Sequence, residues 1–551
     1  MPATITSRIA LSAPLVLSAA LPAAAQCWDQ HLSTGIFEQS LAGDLAYTSG
    51  RLAVGLPRRN PTGSAAIRDS VRVYEGVPGA MSEVARLESS LSVQGNASFG
   101  VAVDLEGDWL AVGDPNGFDP ALGSGGAVHL YQRTPAGWTL QQVLFQPQVG
   151  VTFGSSFGAA LDLDQDLLVV GAPFASTSST QGVFEDGIAY VFQRGPSGWQ
   201  LLHPLAPNQA QLFGGFGTSV AIDGDFIAVG ETGRPIPGGT PFVGGNAGAV
   251  HVYCRCTSTQ FTPVTMLQAS VPIAGALLGS SVAISGTTIV SGAIGEPQGG
   301  VTSAGRAYIF EANGQGVWSE TSTLAVPPLR AYMHFGDDVR LIGDTLYVTS
   351  ESLASAWRYE RLQGVWTEAE RYTTGAGVAW PTPMPVRVGV DGDSVALSDP
   401  DGVTLLPRVS TADARVGCDA APMPPSSPSF PGVPVYLDVR DELRRSSPSL
   451  RFNVYGGSAV GTGILFYGFT PTTVSLGTGT RCVGGALTRA AVGVPTPGGT
   501  QTPLLLDLQA GPANAGPWRI TAGVDVHFQY WFRTAGGSSH LTNSLVLNFC
   551  P

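Results

Sequence analysis

The stretch FGVAVDLEGDWLAVGDP, Phe99 to Pro115, carries alternating apolar residues (Val101, Val103, Leu105), a tight turn at Glu106-Gly107-Asp108, and a short apolar run, Leu110-Ala111-Val112. Period-2 apolar alternation broken by a Gly-containing turn predicts a β-hairpin. The same phrase returns as FGAALDLDQDLLVVGAP from Phe157, FGTSVAIDGDFIAVGET from Phe216, LGSSVAISGTTIVSGAI from Leu278 and FGDDVRLIGDTLYVTSE from Phe335. Two eroded copies flank these: LAYTSGRLAVGLP ending at Pro57 and VRVGVDGDSVALSDP ending at Pro400. The turn positions of the seven copies, Gly50, Gly107, Gln165, Gly224, Gly286, Gly343 and Gly392, fall 49 to 62 residues apart, the spacing of a structural repeat.

A variable loop separates each hairpin from a third apolar run, such as AVHLY ending at Tyr131, IAYVF at Phe192, AVHVY at Tyr253, RAYIF at Phe310 and SAWRY at Tyr359. A turn and a tryptophan (Trp138, Trp199, Trp318, Trp366) then open a fourth strand. Four strands repeated seven times predict a seven-bladed β-propeller. The seventh copy supplies three strands of its own, ending with Gly402 to Pro407, and Trp28 to Phe37 is the segment expected to complete that blade and close the ring.

The FG, the VGAP of Val170 to Pro173 and the GxAYxF third strand resemble FG-GAP repeats, as found in the integrin α-subunit propeller. The resemblance covers roughly residues 41–400 and is closest to the short-turn bacterial form. It implies an extracellular all-β propeller. The longer Asp/Asn-Gly loop that carries calcium in other members is replaced here by a tight turn, so the resemblance brings no calcium site.

Residues 1–25 read as a secretory signal peptide: Arg8, an apolar stretch from Ile9 to Leu21, then Ala23-Ala24-Ala25. The propeller is expected over 26–418. Six prolines between Pro422 and Pro434 mark a linker, 419–434. The runs VYLDV, LRFNVY, GILFYGF, LLLDL, VDVHFQYWF and SLVLNF then predict a small β-sandwich over 435–551, resembling a C-terminal module that recurs in secreted bacterial proteins. Cys27 and Cys418 flank the ring segments and are the pair expected to lock its closure, with Cys482 and Cys550 pairing in the tail; six cysteines allow fifteen pairings, and the state of Cys254 and Cys256 stays open.

Composition narrows the function. Charged residues are 13% of the chain, against ~25% in an average soluble domain. All 28 basic residues are arginine, which excludes Schiff-base and P-loop lysine chemistry. A net charge of −13 without any basic run makes nucleic acid a poor partner, and no stretch past the N-terminal segment is long and apolar enough for a membrane span.

The one metal candidate is calcium at Asp162, Asp164 and Asp166, whose alternate carboxylates share a side of the strand. Acids flanking a tight turn are ordinary turn chemistry, the reading preferred here, so no cofactor is expected to be required. His129 and His251 occupy a repeat position that holds Arg72, Tyr190, Tyr308 and Trp357 elsewhere, and read as structural. No catalytic signature is present. Asp337, Asp338, Arg340 and Arg387 are the first-strand charges that could serve a propeller enzyme; the preferred reading is polar channel lining. The loops after the second strands vary most, and Phe118, Phe174, Phe184 and Phe242 on them are the ligand-contact candidates. The expectation is a secreted or cell-surface, non-catalytic binding or adhesion protein for an extracellular protein or glycan. The alternative is a propeller hydrolase or lyase acting on extracellular polysaccharide.

Overall fold

In the computed structural model the described residues are 30–33, 43–57, 69–77, 80–89, 91–93, 98–119, 124–147, 155–176, 185–237, 245–256, 260–326, 331–350, 355–373, 386–392, 394–399 and 402–407. In the tail they are the strands 414–418, 436–439, 449–455, 460–468, 470–476, 479–484, 488–493, 502–507, 525–534 and 539–548. The signal peptide, the Pro-rich linker, Cys27, Cys550, Phe184 and Phe242 lie outside them.

Among the described residues there is no helix, and seven antiparallel sheets make seven blades. Blade 3 is typical: Ala160–Asp164, Leu167–Ala172, Ile188–Gly195 and Gly198–Leu205 pair in chain order as a four-stranded meander. Its second strand is buried along its whole length, because neighbouring blades cover both faces; its fourth strand, at the outer edge, is buried at only two of eight positions, Trp199 and Leu205. Blade 7 closes the ring as expected. Its strands Val388–Asp391, Ser394–Asp399 and Gly402–Pro407 are completed by Gln30–Ser33, with His31 opposite Thr404.

The core is not one cluster but a layer at each blade junction. One layer joins Ala102, Val128 and Leu144 of blade 2 to Phe157, Leu168 and Tyr190 of blade 3. The layer at the closing junction joins Leu32, Ala396 and Leu405 to Leu45, Leu52 and Met81 of blade 1. Closure therefore rests on burial as well as on strand pairing.

The repeat's glycines have a physical reason. The FG glycines sit at φ of about +90° (Gly158 +92°, Gly217 +90°, Gly279 +93°), a region that suits glycine alone. Each faces the glycine that ends the second strand of the preceding blade: a Cβ on Gly113, Gly171 or Gly230 would overlap the carbonyl oxygen of Gly158, Gly217 or Gly279. Blades 6 and 7, whose following blades lack the FG, carry Thr349 and Ser398 at that point. The two halves of the motif belong to opposite sides of one junction.

In blades 1 to 6 the third and fourth strands shift register at a β-bulge, as between Val191 and Phe192. The bulge twists each outer edge and so discourages edge pairing. Past the ring, Ala414–Cys418 pairs with Ser539–Asn548 of the tail, Cys418 lying opposite Ser544. The last ring strand thus ends at Pro407, short of the boundary expected at 418, and Cys418 belongs to the tail sheet. That sheet also holds Asp525–Thr534, Val460–Gly468 and Thr488–Gly493; a three-stranded sheet and a hairpin that includes Cys482 complete the described tail strands.

Candidate functional site

The first strands line the central channel. At one repeat position stand Asp44, Ala102, Ala160, Ser219, Ser281, Asp338 and Arg387, and two residues on stand Ala46, Asp104, Asp162, Ala221, Ala283, Arg340 and Gly389. Blades 1, 2, 3, 6 and 7 thus bring charge to the channel, while blades 4 and 5 bring small side chains. Arg340 Nη2 lies 3.2 Å from Asp44 Oδ1 and its Nε 3.8 Å from Asp338 Oδ2; Arg387 Nη1 lies 3.1 Å from Asp337 Oδ2. The four charges singled out from sequence are therefore brought together, and Asp44, Asp104 and Asp162 join them.

These carboxylates are already engaged. Asp44 Oδ2 accepts from the Val103 amide (3.2 Å), Asp104 Oδ2 from Leu163 (2.8 Å), Asp162 Oδ2 from Ile222 (2.7 Å) and Asp338 Oδ2 from Val388 (3.1 Å). Every donor sits on the first strand of the next blade, so each acid fastens one blade to its neighbour. Burial pushes the Asp44 carboxyl up, with Arg340 and Arg387 opposing it and Asp338 adding to it. Burial, and then the charge of Asp104, pushes the Asp162 carboxyl well above the usual carboxylate range. Burial works against the Arg340 guanidinium, but Asp338, Asp44, Asp104 and Asp162 together hold it above its ordinary value. Its side chain keeps 34% of its exposure, so the cluster meets the water of the channel.

A second ring sits at the hairpin turns. Asp164 Oδ2 accepts from the Gly224 amide (2.6 Å), Asp223 from Gly286 (2.5 Å) and Asp391 from Gly50 (2.5 Å), while Ser285 Oγ accepts from Gly343 (3.2 Å). These turn acids thus bond a turn amide of the following blade rather than their own. The calcium candidates are separated by the same arrangement, since Asp162 takes Ile222, Asp164 takes Gly224 and Asp166 takes Gln193 Nε2 (2.9 Å). Among the described residues no three His, Cys, Asp or Glu side chains are grouped to hold a metal ion.

His129 and His251 are buried edge-on against the FG phenylalanines, with ring centroids 5.1 Å apart for both Phe99–His129 and Phe216–His251. His251 Nε2 also meets the buried Glu231 carboxylate at 2.6 Å. Cys254 and Cys256 face each other across Arg255, their Cα atoms 5.2 Å apart.

In a meander blade the loops after the second and fourth strands share one face, opposite the tight turns. Here they are tied across blades: Phe174 N donates to Ser155 O (3.1 Å), Gly215 N to Glu185 O (3.4 Å), Leu277 N to Asn246 O (3.2 Å) and Tyr332 N to Thr302 O (2.9 Å). Phe174 is 50% exposed on this face. Phe118 is not a loop residue: the second strand of blade 2 runs on to Asp119, and Phe118 is half-buried opposite Gly125 and Ser92. Sequence reading missed Phe213, Val271 and Tyr332, which are 46%, 72% and 57% exposed on the loops before blades 4, 5 and 6. The available signal was positional: Phe213, Gly275 and Tyr332 each stand three residues before the FG position, and all three are left-handed (φ +55°, +80° and +59°).

Residues 261–310, from the fourth strand of blade 4 through the third strand of blade 5, match the FG-GAP repeat family. No curated protein sequence matches the chain. Among solved structures it is similar to a protein described as a candidate 6-phosphogluconolactonase from Bacteroides uniformis, with 10% identity over 60% of this chain and 85% of that one and a TM-score of 0.40. A second protein so described, from Bacteroides fragilis, gives 11% identity, 65% and 87% coverage and a TM-score of 0.38.

Proposed function

We propose that this FG-GAP-repeat propeller acts outside the cell as a non-catalytic binding or adhesion protein, holding its ligand on the loop face. The observation that carries the reading is the state of the channel charges. Asp44, Asp104, Asp162 and Asp338 each hold the next blade's backbone, and Arg340 and Arg387 are paired with acids, so their geometry serves blade fastening. General acid–base catalysis needs a pair aimed at substrate rather than at the scaffold. The loop face offers the opposite: exposed apolar side chains on loops stitched to their neighbours, a rigid frame for recognition.

An extracellular setting is supported by the repeat type and by the signal-peptide pattern of residues 1–25. The tail, read as a β-sandwich, would then serve attachment. A propeller hydrolase or lyase acting on polysaccharide is the second reading, favoured by one observation, the gathering of acids around Arg340, with Asp44 at 3.2 Å and Asp338 at 3.8 Å. The purified chain on glycan and protein arrays, run beside a polysaccharide turnover assay, separates the two. Binding without turnover is expected. Turnover abolished by Asp162→Asn or Arg340→Gln overturns the reading.

A further inference from the structure

Phe174, Phe213, Val271 and Tyr332 form a sequence around the ring: blade 3, the junction of blades 3 and 4, that of 4 and 5, and that of 5 and 6. All four lie on loops of the same face, and all are more than two-fifths exposed. They therefore follow an arc over about a third of the propeller rather than a compact patch.

Two of these residues sit where the backbone disfavours them. Phe213 (φ +55°) and Tyr332 (φ +59°) are bulky side chains in the left-handed region, at the position where the loop before blade 5 uses Gly275. A glycine would fit the conformation without strain, and the half-exposed rings recover only part of a buried side chain's stabilisation. Strain of this kind, retained at an exposed position, points to a role for the ring itself.

The loops that carry the arc are fixed. Ser270, next to Val271, donates its amide (2.6 Å) and hydroxyl (3.1 Å) to Glu320, and Tyr332 N donates to Thr302 O (2.9 Å). The described arginines beside them are engaged: Arg234 donates to Gln209 and lies 3.6 Å from Glu231, and Arg306 donates to Glu296 at 2.6 Å. Among the described residues, the basic side chains beside the arc are thus already paired, which favours an uncharged ligand.

We infer that the arc binds an extended, neutral polysaccharide, whose sugar rings lay their C–H faces on Phe174, Phe213 and Tyr332. An aromatic face is a flat apolar platform that loses little entropy on binding. Protein partners favour a contiguous interface of ~800 Å² per side with its anchors clustered at the centre. Rings strung out along a curve suit a chain of repeated neutral units better. This inference rests on the binding reading above and names its ligand class.

The test is affinity gel electrophoresis of the full chain in gels containing mixed-linkage β-glucan, xylan or galactomannan, with Phe174→Ala, Phe213→Gly and Tyr332→Gly alongside. At least one polysaccharide is expected to retard the wild type, and each variant should weaken that binding about tenfold. Phe213→Gly and Tyr332→Gly should meanwhile leave the Tm unchanged or raise it, because glycine relieves the left-handed strain; a merely structural ring would lower it. Retardation that survives both glycine variants overturns the arc. No retardation, with protein ligands found on the array, overturns the polysaccharide and leaves the binding reading intact. No ligand of either kind overturns both.

Discussion

Gly171 of blade 3 faces Gly217 of blade 4 with no room for a single added carbon: a Cβ on Gly171 would overlap the Gly217 carbonyl oxygen. The residue opposing it is backbone and cannot swing aside. Gly171→Ala is therefore expected to destabilise the ring by about 2–3 kcal/mol, an overpacking cost. Gly107, at φ +57° in an open turn, has no atom near its would-be Cβ. Gly107→Ala should cost only the left-handed strain, about 1 kcal/mol. Urea unfolding midpoints of the two variants compare them directly, and equal costs would contradict the junction account.

Asp391 joins the last blade to the first by accepting the Gly50 amide at 2.5 Å. A charge-assisted bond of this kind is worth about 1.5–3 kcal/mol, and Asp391→Ala should lose most of it. Asp108, whose side chain is 56% exposed in its pair with Arg51, supplies the control. Asp108→Ala should cost less than about 1 kcal/mol, as exposed pairs do. Unfolding in urea measures both.

The buried Asp162 gives the fold a pH dependence with a definite sign. Its pKa is raised in the folded chain above the ordinary value of 3.8, so its contribution is fully favourable below that value and is lost as pH rises through the folded pKa. An asparagine keeps the oxygen that accepts from Ile222 and carries no charge. Asp162→Asn should therefore raise stability at neutral pH and flatten the fall in Tm as the pH rises above the ordinary carboxyl value of 3.8. A steeper fall in the variant would show that the carboxylate is favoured by the fold.

Arg340 is the cation shared by Asp44 and Asp338, with Asp104 and Asp162 also in its field. Removing it leaves those acids facing one another. Arg340→Met should destabilise the chain by about 2 kcal/mol, below the loss of a fully buried pair because channel water reaches the site. Adding Asp44→Asn to Arg340→Met should recover part of that loss, a coupling that a double-mutant cycle in urea reads out.

The blade count, the hairpins and the closing strand were legible because a propeller repeats one apolar rhythm, and because Gly402–Pro407 visibly lacked a partner until Trp28 to Phe37 offered one. The channel was half legible. Asp337, Asp338, Arg340 and Arg387 stand out on their strands, but Asp44 falls in an eroded copy, and Asp162 reads as one of three turn acids. What joins them is an inter-blade hydrogen bond, reaching 59 residues from Asp44 to Val103 and 60 from Asp162 to Ile222, which no local pattern encodes. Phe118 was misplaced for a related reason: its strand runs past the proline at 115, so an apparent loop is paired backbone. Phe213 and Tyr332 escaped notice because exposure and a left-handed φ leave no trace in apolar periodicity.

The central claim, that the loop face binds and the channel only holds the ring together, is tested most directly by one comparison on a single ligand taken from the arrays. Binding and turnover of that ligand are measured for the wild type, for Phe213→Gly/Tyr332→Gly and for Asp337→Asn/Arg340→Gln. The account predicts that the loop pair loses most of the binding, that the channel pair retains it, and that none of the three shows turnover. Turnover by the wild type that disappears in the channel pair would contradict it.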